Sequence, residues 1–237
     1  MTTYGWVGLS GGLEPGKNEL YTLFPAVEEG LRRYRHCFAG KTVFCNCDDP
    51  FESNFVKYFI REFKSIGLKK LIATSCLGSP VAGEELQLFP YPGVWDVPVP
   101  AHKLVVRQVP IPKLDDLRLS AGKRNKILIR LKGDGDFRSK ECVRLLRQAD
   151  IAVTAPPFSQ FGEYLTLLVR HDRKFLLLGR FDSITDPVVL QLIRESRVRP
   201  DFGNPCGGML FRVPGICPAD GREPCRRVKV CWFTNLK

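Results

Sequence analysis

The sequence predicts an α/β fold built on a mostly parallel sheet with helices on both faces. Three observations predict it. Short apolar runs alternate with segments of helical spacing along most of the 237 residues. Each run ends in a turn rich in Asp, Gly or Pro. The composition, 44% hydrophobic and 26% charged, is that of a globular chain able to bury a core. Repeated strand–helix–strand units imply parallel strands buried on both sides.

The elements follow in order. Lys41–Cys47 (KTVFCNC) reads as the first strand and stops at Asp48-Asp49-Pro50. Ser53–Ile66 has helical spacing, with Phe55, Phe59, Phe63 and Ile66 on one side, and Gly67 ends it. Lys70–Thr74 is the second strand. Lys126–Leu131 is the third, running into Gly133-Asp134-Gly135-Asp136. Ser139 is placed to cap a helix that turns Cys142, Leu145, Leu146 and Ala149 inward. Ile151–Thr154 is the fourth strand, and Gln160–Arg170 a helix with Phe161, Tyr164, Leu165 and Leu168 on one face. Phe175–Gly179 is the fifth strand, and Pro187 opens a helix to Glu195. Met209–Val213 and Arg227–Thr234 then read as two successive strands, which suggests a hairpin at a sheet edge.

Residues 77–125 interrupt this alternation with seven of the 18 prolines. That density argues against helix and against central strands. The expected organisation is therefore an N-terminal part of the main domain (1–76), a Pro-rich insertion (77–125) and a C-terminal part (126–237). From its residues the insertion reads as an irregular segment or small subdomain between the second and third strands.

Charge and cysteines narrow the function. The formal net charge is +11, and residues 126–237 hold 20 Lys+Arg against 12 Asp+Glu. A surface of this sign suits a polyanion such as nucleic acid, or is simply a solvated basic face. Arg226-Arg227-Lys229 could contact phosphate or guard a strand edge. Nine cysteines without a Cys-x-x-Cys pair read as buried reduced thiols in a cytoplasmic protein. A zinc site from Cys206, Cys217, Cys225 and Cys231 has wide, irregular spacing, and no metal is expected. His36, His102 and His171 stand in unrelated contexts, so no histidine-based centre is expected. Met1–Lys17 lacks the basic and apolar regions of a signal peptide, and no apolar run reaches membrane-spanning length.

In an open parallel sheet, ligands bind beyond the carboxyl ends of the strands. The turns there are Cys47–Asn54, Gly133–Phe137 and Ala155-Pro156-Pro157-Phe158. The first two are also ordinary turn sequences. The third is less ordinary. Two prolines fix the direction of their carbonyls and the phenylalanine offers a flat face, which together suit a planar heterocycle with an exocyclic amine.

Six blocks carry a resemblance, in order along nearly the whole chain: Lys17–Thr22, Lys41–Asn54, Gly133–Ser139, Thr154–Leu165, Gly207–Pro214 and Cys231–Leu236. On them the chain resembles the EcoRI-type adenine-specific DNA methyltransferases. The resemblance implies a seven-stranded Rossmann-like methyltransferase sheet with a C-terminal antiparallel hairpin, and S-adenosylmethionine as cofactor. It implies cofactor contacts from Tyr21, Thr22, Asp48, Asp49, Pro50 and Phe51, with Asp49 near the methionine ammonium, and from Asp136 and Phe137 near the cofactor's adenine. It implies duplex DNA as partner, a target adenine flipped from the helix, Phe158 stacked on that base and the Pro156 carbonyl accepting from its N6 amine. Whether a restriction endonuclease accompanies it stays open.

Two departures qualify this. The family turn is Asn-Pro-Pro-Phe, with Asp or Ser first in related enzymes, but here Ala155 leads. Alanine offers no acceptor to the amine, so the expectation is an adenine N6-methyltransferase impaired at this step. The alternative is a non-catalytic relative that binds cofactor or DNA. The family pattern also continues past Cys231–Leu236, so part of the DNA-recognition surface is expected to lie outside this chain. The insertion at 77–125, with Trp95, Lys103 and Arg107, is then either a DNA contact or a structural cover over the second strand.

Overall fold

The computed structural model describes residues 21–50, 53–76, 101–110, 127–203, 208–212 and 225–237. In chain order the strands are β1 (Tyr21–Thr22), β2 (Thr42–Asn46), β3 (Lys70–Thr74), β4 (His102–Val106), β5 (Leu128–Arg130) and β6 (Ile151–Thr154), followed by β7 (Lys174–Arg180), β8 (Arg199–Asp201), β9 (Met209–Arg212), β10 (Cys225–Val228) and β11 (Val230–Thr234). The helices are α1 (Phe24–Arg32), α2 (Asn54–Arg61), α3 (Phe63–Ile66), α4 (Lys140–Leu146), α5 (Phe161–Arg170) and α6 (Pro187–Arg194).

One eight-stranded sheet has the order β5-β4-β3-β2-β6-β7-β11-β8. The pairs β3–β2, β2–β6 and β6–β7 are parallel. β4 is antiparallel to both its neighbours, and so is β11. β5 and β8 therefore point the same way as the parallel group, and six strands deliver their carboxyl ends to one edge.

Strand alternation sorts the core into two layers. Val43 and Cys45 of β2 face a cluster with Val27 and Leu31 of α1 and Phe55 and Phe59 of α2. Phe44 faces the other way, toward Leu145 of α4, Leu165 of α5 and Leu192 of α6. The residues expected to face inward from Ser53–Ile66, from the helix capped by Ser139 and from Gln160–Arg170 are buried. Ser53, Ser139 and Asp186 cap α2, α4 and α6 as N-cap acceptors. Among the described residues no helix is long and apolar enough to cross a membrane.

Three expectations are corrected. The main sheet has eight strands rather than seven. Residues 102–106, inside the stretch expected to be irregular, form β4, a strand paired on both sides; the stretch is proline-free and alternates in burial. Residues 77–100, which include Trp95, and 111–126 lie outside the described residues. The expected C-terminal edge hairpin is also different. Arg227–Thr234 divides at Lys229. β10 pairs with β9 in a separate three-stranded sheet with β1, while β11 enters the main sheet between β7 and β8.

Candidate functional site

The strands β3, β2 and β6 end level with one another. Asn46 stands in register with Thr74 of β3. Its side-chain Oδ1 accepts from the Thr74 hydroxyl at 2.7 Å and from the Cys47 N–H at 3.1 Å. Its backbone carbonyl accepts from the Thr154 hydroxyl of β6 at 2.5 Å. Asn46, Thr74 and Thr154 are fully buried or nearly so. Sequence reasoning passed over this row. Its signal is a polar residue closing each of three apolar runs, at positions where the chain leaves the sheet.

The turn after β2 carries two buried carboxyls, Asp48 at 6% and Asp49 at 1% exposure. Cys47 enters it with φ of 62°, an uncommon conformation for a residue with a side chain, held by its hydrogen bond to Asn46. The Asp48 N–H donates to the Thr74 carbonyl at 3.1 Å. The Ser53 hydroxyl donates to Asp48 Oδ1 at 2.6 Å and also accepts from the α2 N–H groups of Phe55 and Val56. Asp48 Oδ2 is buried without a hydrogen-bond partner among the described residues. Burial pushes the Asp48 carboxyl up to about 7; the Ser53 and Thr154 hydroxyls beside it oppose this, and the neighbouring Asp49 adds to it. Pro50 is buried beside them, whereas Phe51 lies outside the described residues.

The turn after β5 is pulled against the end of β3. Gly135 has φ of 79°, and a Cβ there would stand 2.1 Å from the Ser75 carbonyl oxygen, so only glycine lets the two backbones approach. The Cys76 and Cys142 thiols both reach its carbonyl, at 3.7 and 3.4 Å. The Asp136 carboxyl is bound by Arg138, whose hydrogen bonds hold it below the usual carboxylate range. Phe137 is buried, with its ring edge-on to Tyr164 at 5.1 Å between centroids. Thr22 is brought to the same region, because Asn54 at the start of α2 donates to its carbonyl. Tyr21 precedes it in β1.

The turn after β6 is apolar. Ala155 and Phe158 are 6% and 8% exposed, and Pro156 and Pro157 are buried. Phe158 begins a 3-10 turn (Phe158–Gln160), closed by the Gln160 N–H on the Pro157 carbonyl at 2.9 Å, that leads directly into α5. The structure thus brings the turns at Asp48, Asp136 and Ala155 to one edge. Among the described residues no group of three His, Cys, Asp or Glu side chains could hold a metal. Cys206 and Cys217 of the weighed zinc set lie outside the described residues.

A sheet with this carboxyl edge and one antiparallel strand set between its last two partners defines a protein of the Rossmann-like α/β class. More particularly, the chain belongs to the family described as adenine-specific methyltransferase EcoRI, whose model matches residues 12–237. It is 40% identical over 228 residues to the type II methyltransferase M.EcoRI of Escherichia coli, covering 92% of this chain and 65% of that protein. It is 32% identical over 232 residues to M.MpnI of Mycoplasma pneumoniae, covering 93% of this chain and 61% of the relative. It is 34% identical over 235 residues to M.MgeORF184P of Mycoplasma genitalium, covering 92% and 62%. The chain thus spans less than two thirds of each of these relatives. No solved structure matches it.

Proposed function

We propose that this chain is an S-adenosylmethionine-dependent DNA adenine N6-methyltransferase, slowed at the transfer step by Ala155. The observation that carries the reading is the Asn46 junction, which ties the end of β2 to those of β3 and β6 and sets the cofactor turn beside the adenine turn.

The residues present fit the cofactor. Asp48 keeps a buried oxygen without a partner among the described residues, the acceptor that an ammonium group requires. Asp48 and Asp49 would hold that ammonium, with Tyr21, Thr22, Pro50, Phe51, Asp136 and Phe137 forming the rest of the contact. When bound, S-adenosylmethionine supplies an electrophilic methyl group on a sulfonium. Asp48, with its carboxyl near 7, gives up its proton as it takes a cationic partner. Phe158 stacks on the extruded adenine, and the Pro156 carbonyl accepts from N6, a poor nucleophile whose lone pair is spread into the ring. Ala155 has no acceptor for the second N–H. A missing preorganised contact of this kind costs about 10²–10³ in rate.

Ala155 itself supports a second reading, a non-catalytic binder of the same family. Methyl transfer from labelled S-adenosylmethionine to mixed-sequence duplex DNA separates the two. The expected result is a slow but measurable rate for the native chain and one about 10²–10³ higher for Ala155→Asn. Cofactor binding with no transfer by either protein would favour the binder. Absence of cofactor binding in calorimetry would defeat both.

A further inference from the structure

Two large aromatic side chains stand exposed on the edge that carries the site. Phe181 and Phe202 are 48% and 56% exposed, and their ring centroids are 5.9 Å apart. Phe181 directly follows β7, whose Arg180 pairs with Val230 of β11. Phe202 directly follows β8, whose Asp201 pairs with Trp232 of β11. The rings therefore flank the start of β11. At about 4.8 Å between neighbouring strands, Phe181 lies one strand and Phe202 three strands along the edge from the Pro-Pro-Phe turn.

Both rings are mounted on braced backbone. Beside Phe181, Arg180 binds the Asp182 carboxylate. Beside Phe202, Arg33 and the Tyr34 hydroxyl both donate to Asp201, as does the Gly203 N–H at 2.9 Å. A Cβ on Gly203 would fall 1.4 Å from Arg33 Nη1, so glycine is what allows the arginine to lie there. Lys229 joins the pair through backbone: its carbonyl accepts the Phe181 N–H at 2.9 Å. Lys229 and Arg226 are exposed, and neither has a carboxylate partner among the described residues.

Folding alone gains nothing from holding two large rings in water. A partner that covers flat apolar faces and accepts unpaired cations makes use of them. With a net charge of +11, a second copy of this chain is disfavoured and a polyanion with planar bases fits. We propose that Phe181 and Phe202, with Lys229 and Arg226 on the strand run entering between them, form a DNA contact: the rings stack on bases beside the extruded adenine and the cations engage phosphates. This rests on the proposed function above. It also gives a role to the Arg226–Lys229 run.

The test is fluorescence anisotropy with a labelled mixed-sequence duplex across a salt series, with cofactor affinity and melting temperature measured alongside. Phe181→Ala/Phe202→Ala is expected to weaken binding about tenfold with the salt slope unchanged. Arg226→Gln/Lys229→Gln is expected to reduce the slope of log K against log salt by about 1.8. Cofactor affinity and melting temperature should stay at the native values in both. If the native chain binds duplex and both variants bind it equally well, this surface is wrong and the proposed function stands. If the native chain binds no duplex, both fall. Loss of binding together with lower melting temperature and cofactor affinity would make the rings structural and overturn the contact. So would unchanged DNA binding with altered sedimentation, which would mark a protein interface.

Discussion

The turn after β2 and the turn after β6 leave the same edge side by side, yet they are built oppositely. The first buries two carboxyls and leaves Asp48 Oδ2 without a partner among the described residues. The second, Ala155-Pro156-Pro157-Phe158, has no polar side-chain atom and lies in well-packed surroundings. An unsatisfied buried carboxyl costs folding free energy, so its retention points to a ligand that compensates it. An alanine at the head of the second turn costs folding nothing and removes chemistry. The contrast is between a binding half that keeps an expensive group and a reacting half that lacks a cheap one.

The strongest way to break the comparison is Asn46→Ala. It removes the Oδ1 that accepts from Thr74 and Cys47, leaving two buried donors unsatisfied. At about 1–3 kcal/mol each, a loss of about 2–6 kcal/mol is expected in urea denaturation. The Thr154 bond to the Asn46 backbone carbonyl survives, so the first turn should loosen more than the second. Cofactor affinity should fall with stability. A loss below about 1 kcal/mol would mean that backbone bonds alone hold the first turn.

Asp48→Asn tests the carboxyl itself. Its folded value, about 7, is raised from 3.8, chiefly by burial. Between those values the folded chain binds more protons than the unfolded chain, so stability falls as pH rises. The native protein should lose up to about 4 kcal/mol across that window, and Asp48→Asn should remove most of the fall. Denaturation midpoints through the window measure it. A flat native profile would show an already compensated carboxyl and would dissolve the contrast.

These predictions concern residues of unequal legibility. β3 and β6 occupy the segments expected of them, because a short apolar run closed by a polar turn has few other uses. β4 was hidden by averaging: prolines at 100 and 110 bracket a proline-free His102–Val106 with alternating burial. β8 (Arg199–Asp201) has no apolar run and contains Pro200, tolerated on an edge strand, so no local pattern marks it. The division of Arg227–Thr234 depends on which distant strand each half meets, and local pattern does not encode partners. At the site, acids and paired prolines announce themselves by composition. Asn46 does not, since a lone Asn at a strand end reads as a turn opener; its role appears only once the register sets it beside Thr74.

The smallest expected effect gives the sharpest comparison. Ser53 and Ser139 are both helix N-caps, accepting from Val56 and Cys142 N–H groups respectively. Either one changed to Ala should cost about 1 kcal/mol of stability from the lost cap. Only Ser53 also donates to Asp48 Oδ1, favouring the anion. In Ser53→Ala the Asp48 carboxyl should therefore titrate above the native value of about 7, and the fall in stability with pH should continue to higher pH. Ser139→Ala should lower the whole profile without changing its shape. Parallel profiles for the two variants would detach the pH dependence from the first turn. Divergence in the stated direction would mean that one hydroxyl both starts α2 and tunes the charge of the turn before it, so the fold and the binding group share a single atom.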